Sequence, residues 1–304
     1  MTDLLIVGGG PAGYTAALYA VRAGLTALVL EGTAPGGQLG STEDVDNYPG
    51  FDETVVGLEL AERMRRGAER FGAETVLARA TALELAGDVK RAETAGGGRF
   101  EARTLIYAAG AAPRRLDIPG EAALRGRGVS YCATCDGAFF RGKDAVVLGG
   151  GNSAAAEALT LAHLCRRVYL VHRRDRLRAE HSYVQALERA ENLTFVWNAR
   201  AEAVLGDSVV EGLRYTDLAS GKTRELACSG VFVAVGRVPA TELLRGRLAL
   251  DADGYVSAGE TTRTELPGVF AAGDVRCKPL RQIVTAAADG AVAAHFAQAY
   301  LRQA

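Results

Sequence analysis

Lysine is nearly missing from this chain. Only Lys90, Lys143, Lys222 and Lys278 carry it, so the 35 basic residues are almost all arginine. That reads first as genome composition, and as chemistry only where arginines cluster. Net charge is also missing, at −1, so nothing argues for a nucleic-acid or membrane-surface partner. No uninterrupted apolar run approaches the roughly 18 residues of a membrane span; Arg22 and Asp289 interrupt the nearest candidates. The first apolar run begins at Leu4 with no basic segment or cleavage site before it, so a secretory precursor is not expected. Cysteine is scarce. Five residues, an odd count and mostly isolated, do not describe a disulfide scaffold; a cytosolic enzyme with one special pair fits better. What is present, 304 residues at 48% hydrophobic composition, implies a globular protein of roughly two domains.

Glycine carries the first positive signal. The apolar run Leu4-Leu5-Ile6-Val7 predicts a buried parallel strand. It leads into Gly8-Gly9-Gly10-Pro11-Ala12-Gly13, then a small-residue helix over 14–23 stopped by Gly24, then a strand over 27–30 ending at Glu31. In a GxGxxG turn the glycines serve a tight turn, backbone approach to a pyrophosphate, and close helix–sheet packing. Glu31, eighteen residues after Gly13, suits a ribose with a free 2′-hydroxyl, hence FAD or NAD and not NADP.

The pattern repeats with one change. A strand over 145–148 leads to Gly149-Gly150-Gly151-Asn152-Ser153-Ala154, a helix over 155–164, and a strand over 168–171. His172 stands eighteen residues after Ala154, the offset of Glu31 from Gly13, and opens the run His172-Arg173-Arg174 with Arg176 and Arg178 behind. Guanidinium groups bind a 2′-phosphate by bidentate, charge-assisted bonds, so this second site suits NADPH. The competing reading is a solvated basic run at a strand end.

Between the two fingerprints lies Cys132-Ala133-Thr134-Cys135-Asp136-Gly137. A C-x2-C pair is also half of a zinc site, but no second C-x2-C exists to complete four ligands. An inert buried pair would make Asp136 a poor neighbour. A redox dithiol accounts for all three, because the leaving sulfur in thiol–disulfide exchange departs faster when an acid protonates it.

The remaining stretches organise the domains. Leu58–Phe71 predicts an amphipathic helix and 100–108 a returning strand pair. Pro113 to Pro119 and Gly236 to Pro239 predict linkers. The tail after about residue 240 is too short to bury a core alone. Its strand Val269–Ala272 ends at Gly273-Asp274, and a helix follows with Arg281 and Gln282 near its start. A helix N-terminus stabilises negative charge of the kind a reduced flavin carries. The tail therefore belongs with the first domain, and the middle is an insertion. Cys277, between Arg276 and Lys278, has basic neighbours that could lower its pKa, but an exposed bland thiol is the expectation.

In chain order GGGPAG with Glu31, PGGQ, DNYPGF, PRRLDIPGE, CATCDG, GGGNSA, HRRDRLRAE, VAVGRVPAT and FAAGD with RQ run nearly the full length. On these motifs the chain resembles the low-molecular-weight NADPH-dependent thioredoxin reductases of bacteria and plants. The resemblance implies an α/β fold of two Rossmann-like, three-layer nucleotide-binding domains. Residues 1–113 and 241–304 would form the FAD domain, and 114–240 an inserted NADPH domain carrying the redox CxxC. It implies Cys135 next to the flavin, Cys132 as the interchange thiol, and Asp136 as general acid. Flavin-site positions would be Gly8, Gly10, Pro11, Ala12, Gly13, Glu31, Gly36, Gly37, Gln38, Asn47, Gly110, Asp274, Arg281, Gln282 and Ile283. NADPH positions would be Gly149, Gly151, Asn152, Ser153, His172, Arg173, Arg174, Arg178, Gly236 and Arg237. Thioredoxin would be the protein substrate, with no metal, a homodimeric assembly, a cytoplasmic location, and rotation of the middle domain between half-reactions. Ala109 and Ala138 depart from the residues many members carry, which leaves Phe139 and Phe140 as the aromatic pair beside the dithiol. Arg125, Arg127 and Arg141, with that pair, are candidates for the docking surface. Alternatives are a reductase of a peroxiredoxin or another small dithiol protein, although a peroxiredoxin reductase would carry a further N-terminal domain; a dithiol oxidase or ferredoxin-linked reductase, which has no use for the HRRDRLRA run; and a non-enzymatic nucleotide-binding redox sensor.

Overall fold

Alternate residues of Leu4-Leu5-Ile6-Val7 serve different cores. Leu4 and Ile6 join the alanines of two helices, while Leu5 and Val7 join Leu28, Leu105 and Val269 on the other face of one sheet. Ala145 and Val147 divide from Val146 and Leu148 in the same way. A strand covered on both faces has no polar side, which is why these runs lack alternation.

In the computed structural model, which describes residues 1–32, 35–42 and 44–303, the chain forms two compact units. One is Met1–Ala112 with Val238–Ala304; the other, Pro113–Arg237, is inserted into it. The chain enters through β1 (Thr2–Val7), α1 (Pro11–Arg22), β2 (Ala27–Glu31), β3 (Asp44–Val45), β4 (Val55–Val56), α2 (Gly57–Glu69), β5 (Glu74–Leu77), β6 (Ala80–Glu84), β7 (Lys90–Thr94), β8 (Arg99–Tyr107) and β9 (Ala111–Pro113). The inserted unit holds β10 (Val129–Ser130), α3 (Ala133–Asp136), β11 (Asp144–Leu148), α4 (Asn152–Ala162), β12 (Arg167–Val171), α5 (His181–Glu188), β13 (Leu193–Val196), β14 (Ala199–Leu205), β15 (Gly212–Asp217), β16 (Lys222–Ala227) and β17 (Gly230–Val233). The chain returns through β18 (Arg237–Pro239), β19 (Val269–Ala271) and α6 (Ile283–Leu301).

The first unit's sheet runs β5-β2-β1-β8-β7-β6, with β19 also on β8. β5, β2, β1, β8 and β19 are parallel, while β6 and β7 add antiparallel. The expected strand pair over 100–108 is instead one continuous strand, β8; it pairs with β7 at its start and β19 at its end, and β7 is the hairpin partner. The tail therefore completes the sheet of the first unit. The inserted unit has a parallel sheet, β10-β17-β11-β12-β13, and a separate antiparallel sheet, β14-β15-β16.

α1 and α6 meet through small residues: Ala12, Ala16 and Ala20 on one, Ala286, Ala293 and Ala297 on the other, all buried. At the closest point a Cβ on Gly290 would overlap the Ala12 carbonyl, so only glycine lets the backbones touch. Gly67 in α2 has nothing within reach of such a Cβ and no unusual dihedral. Gly290→Val is therefore expected to cost about 3 kcal/mol or more by overpacking, whereas Gly67→Ala gains about 0.5–1 kcal/mol from helix propensity. Chemical denaturation of the two variants checks the contrast.

Candidate active site

Each fingerprint sits where a strand turns into a helix, and the glycines divide by what surrounds them. Gly8 has φ +118°, and a Cβ there would overlap the Ala108 carbonyl; on Gly13 it would overlap the Gly8 carbonyl. Those two are structural. Gly10 is different: its nearest neighbour would be the Gly36 carbonyl at 3.9 Å, so the space over it is open. α1 starts with Pro11 at its first turn and no side chain caps it, leaving backbone N–H groups directed at that space. The second turn repeats the arrangement. Gly149 is crowded by the Ala234 carbonyl, Gly151 has nothing within 4 Å, and α4 begins without a side-chain cap. An uncapped N-terminus beside an open glycine suits a pyrophosphate.

The residue at the end of the second strand lies over the middle glycine in both turns. Glu31 covers Gly9 and the His172 ring covers Gly150, each so closely that a Cβ would collide. Glu31 is 1% exposed and accepts the Gly36 N–H at 2.6 Å and the Tyr14 hydroxyl at 2.8 Å. Burial, then the bond to Glu31, raises the Tyr14 pKa, so the phenol stays a donor. Tyr14 orients the carboxylate and was not picked out from sequence, where it reads as an ordinary core aromatic.

The loops of the first unit gather around α1 and the start of α6. Gly36 and Gly37 have φ +76° and +60°, and the Gln38 amide donates to the Ala111 carbonyl, next to Gly110. The Asn47 amide donates to Gln282 at 3.1 Å, and Gln282 caps α6 reciprocally with Thr285. The Arg281 guanidinium stacks 3.9 Å over Tyr255 and donates to the Asp274 carbonyl at 3.3 Å. Ile283 packs near Leu39, Tyr48 and Phe51. A Cβ on Gly273 would lie 2.9 Å from that of Ala12, which brings Asp274 beside the first fingerprint. These residues could hold an elongated dinucleotide, with its pyrophosphate over Gly10 and its ribose at Glu31.

In the inserted unit the expected basic residues separate. Arg173, Arg174 and Arg178 are exposed. His172 is buried, and its pKa is lowered by burial first and then by Arg174, Arg178 and Arg173. It is a neutral ring packed on Gly150, not a fourth cation. The Asn152 amide is engaged with Glu180, at 2.7 and 2.8 Å, and the Arg178 N–H donates to the Gly150 carbonyl at 2.6 Å. Those bonds hold the basic loop over the turn. Gly236 has φ +112° and open space around it, with Arg237 half-buried beside it.

Cys132 and Cys135 are joined as a disulfide, with Cα atoms 5.3 Å apart. Cys132 precedes the short helix α3, and its carbonyl accepts the N–H groups of Cys135 and Asp136. The Ser130 hydroxyl donates to the Asp136 carboxylate at 2.5 Å and accepts the Cys132 N–H at 3.1 Å. Ser130 thus fixes acid and thiol together; nothing in the sequence singled it out. Cys277 is exposed, and its hydrogen bond to Asp251, then burial, raises its pKa against the smaller effect of its basic neighbours, so the bland reading holds.

A dithiol with an adjacent acid shares one inserted unit with an arginine-flanked nucleotide turn, and comparison with known proteins agrees with that chemistry. The profile of the family described as "Pyridine nucleotide-disulphide oxidoreductase" matches residues 2–290. The chain is 47% identical over 302 residues to the thioredoxin reductase of Mycolicibacterium smegmatis, covering 99% of this chain and 97% of that one. It belongs to the thioredoxin reductase family. The Streptomyces clavuligerus thioredoxin reductase is 46% identical, with 98% of this chain and 94% of that one covered. The crystal structure of thioredoxin reductase from Streptococcus pyogenes superposes with a TM-score of 0.93 at 41% identity, covering 100% of this chain and 99% of that one. Membership implies use of a flavin and a pyridine nucleotide. No helix among the described residues is long and apolar enough to cross a membrane.

The first unit also holds a buried ionic cluster that the motifs do not reveal. Asp289 of α6 accepts two guanidinium bonds from Arg276 at 2.7 Å, the Lys278 ammonium at 2.8 Å and the Gly273 N–H at 2.9 Å. Burial pushes its carboxyl up, but the bonds from Arg276 and Lys278 outweigh that and hold the pKa below the usual carboxylate value. A depressed folded pKa contributes stability that is present above the unfolded value and lost as pH falls through the folded one. Asp289→Asn is expected to cost about 3–5 kcal/mol near neutral pH, because it strands two buried cations. The gap from wild type should narrow below about pH 4, which unfolding measured across pH checks.

Proposed function

We propose that the chain is an NADPH-dependent thioredoxin-disulfide reductase. The observation that carries the reading is the Cys132–Cys135 disulfide, with Asp136 beside it, on the same inserted unit as the Gly149–Gly151 turn and its arginines. FAD is assigned to the first unit and NADPH to the second. Bound there, the pair supplies hydride transfer from the nicotinamide and two-electron reduction of the disulfide.

The residues then have these tasks. Backbone N–H groups of Gly10, Ala12 and Gly13, and of Gly151, Asn152 and Ser153, hold the two pyrophosphates. Glu31, oriented by Tyr14, takes the flavin dinucleotide's ribose, while Arg173, Arg174 and Arg178 take the 2′-phosphate. Reduction opens the disulfide. Cys132 passes its proton to Asp136 and, as thiolate, attacks the thioredoxin disulfide; one sulfur of thioredoxin leaves and takes that proton from Asp136. Cys135 then passes its proton to Asp136 and attacks the Cys132 sulfur of the mixed disulfide, and the second thioredoxin sulfur leaves as a thiol, taking that proton from Asp136. Asp136 ends as it began, and each bond broken is matched by one formed. Because dithiol and nucleotide turn ride on one unit, rotation at the two connections would let each take its turn at the flavin. Homodimeric assembly rests on the family resemblance, and a cytoplasmic setting fits three cysteines carried as free thiols.

Asp136→Asn should slow thiol exchange with thioredoxin while leaving flavin bleaching by NADPH unchanged in stopped flow. Equal thioredoxin turnover in variant and wild type would remove Asp136 from the mechanism. Arg173→Ala should lower kcat/KM for NADPH roughly 10- to 100-fold, as expected for losing a charge-assisted bond. NADH should be unaffected; an equal loss with both nucleotides would contradict the 2′-phosphate assignment. Reoxidation of the bleached protein by a peroxiredoxin and not by thioredoxin would favour the related reductase reading.

A further inference from the structure

One ionisable group near the dithiol has no part in the steps above. Glu157 lies on α4, one turn after Ala154 and one turn before Leu161, residues that pack together with Ala133 of α3. α3 and α4 are in contact, and a Cβ on Gly137, directly after Asp136, would meet Leu161 and Leu164 at 3.3 and 3.1 Å. Glu157 therefore occupies the α4 surface that supports the dithiol turn. The residue as a whole is half-buried, but its Oε2 is enclosed and has no hydrogen-bond partner. An ionised carboxylate with an unpaired buried oxygen is costly, so the neutral acid is favoured.

The charged groups acting on Glu157 are Arg237 and Asp136. On the other elements packed on α4, Asp144 of β11 pairs with Arg166, Arg167 of β12 with Tyr169 and His181 of α5 with Gln185, while Tyr183 and Glu188 of α5 are not among the groups acting on Glu157. Burial first, opposed by Arg237 and assisted by Asp136, raises the Glu157 pKa to about 7.

We propose that Glu157 is a positioning residue for Asp136, a second carboxyl whose ionisation keeps Asp136 a proton carrier as the medium becomes alkaline. This rests on the role given to Asp136 above. The sign follows from like-charge repulsion. Below neutral pH Glu157 is neutral and leaves Asp136 alone. Above it, negative Glu157 disfavours negative Asp136 and so raises the proton affinity of the acid. The net reaction does not change, since Asp136 still receives each proton from an enzyme thiol and delivers it to a thioredoxin sulfur. Only the pH range in which it can do so is widened.

The test follows the thiol-exchange half-reaction from pH 6 to 9, mixing chemically reduced enzyme with oxidised thioredoxin and counting thioredoxin thiols. Glu157→Gln, close in shape, should move the alkaline fall-off to lower pH by roughly half a unit or more, the modest end of what a nearby charge does. Glu157→Asp should restore part of the shift. Infrared difference spectra of the wild type should show a carboxyl stretch titrating near neutral pH that is absent in Glu157→Gln, a change that a purely structural role does not produce. Superimposable pH profiles for wild type and Glu157→Gln, or no such band, would overturn the proposal, and Glu157→Ala gives the same comparison should the Gln variant not fold. If Asp136→Asn exchanges thiols at the wild-type rate, the reading of Asp136 fails and the proposal with it. If Asp136→Asn is slow while the Glu157→Gln profile is unmoved, only the proposal fails.

Discussion

Backbone touching backbone is the constraint on which the first unit depends. Gly13 lies against the Gly8 carbonyl, Gly8 against that of Ala108, and Gly290 against that of Ala12. Together these contacts bring α1 and α6 onto the ends of parallel strands with no side chain between them. The helix N-terminus at Pro11 then faces open space over Gly10, and the segment Gly273–Asp274 arrives beside it. The start of α1 and the Gly273–Asp274 segment take their places from that close packing. Overpacking at one of these glycines would therefore disturb stability and cofactor site together.

The inserted unit uses the same strand–turn–helix with different chemistry at its edges. In the first turn a buried carboxylate covers the middle glycine and is oriented by a phenol. In the second a neutral imidazole covers it, and the charge has moved outward to the exposed arginines. A buried acid suits a ribose hydroxyl by hydrogen bonding, whereas exposed guanidiniums suit a phosphate by bidentate, charge-assisted bonds. The dithiol turn is built onto the same α4 that carries the second fingerprint. The second fingerprint and the dithiol turn thus share one helix as support.

Much of this was legible in the sequence, because the determining contacts are local. Glycine spacing, continuous apolar runs and the eighteen-residue offset each depend on neighbours within one βαβ unit, and Glu31 and His172 lie over matching glycines as the offset implies. The long strand β8 was misread as a pair since its two halves have different partners on one edge, β7 and β19. The sheet of β14, β15 and β16 gave no signal, being polar and largely exposed along β16. Ser130, Tyr14, Glu157 and Asp289 escaped for another reason. A hydroxyl or carboxyl acquires its role from a partner distant in sequence, such as Glu31 for Tyr14 or Arg276 for Asp289. His172 differs from the neighbouring arginines in being buried, which spacing does not reveal.

The central claim is that the electrons of NADPH reach the Cys132–Cys135 pair. Anaerobic titration of the purified flavin-loaded protein with NADPH, following flavin absorbance and counting free thiols after denaturation, tests it most directly. The account predicts uptake of about two equivalents per chain, one for the flavin and one for the disulfide, with about two new thiols that are absent when Cys135 is replaced by serine. Uptake of about one equivalent with no new thiols in the wild type would contradict it.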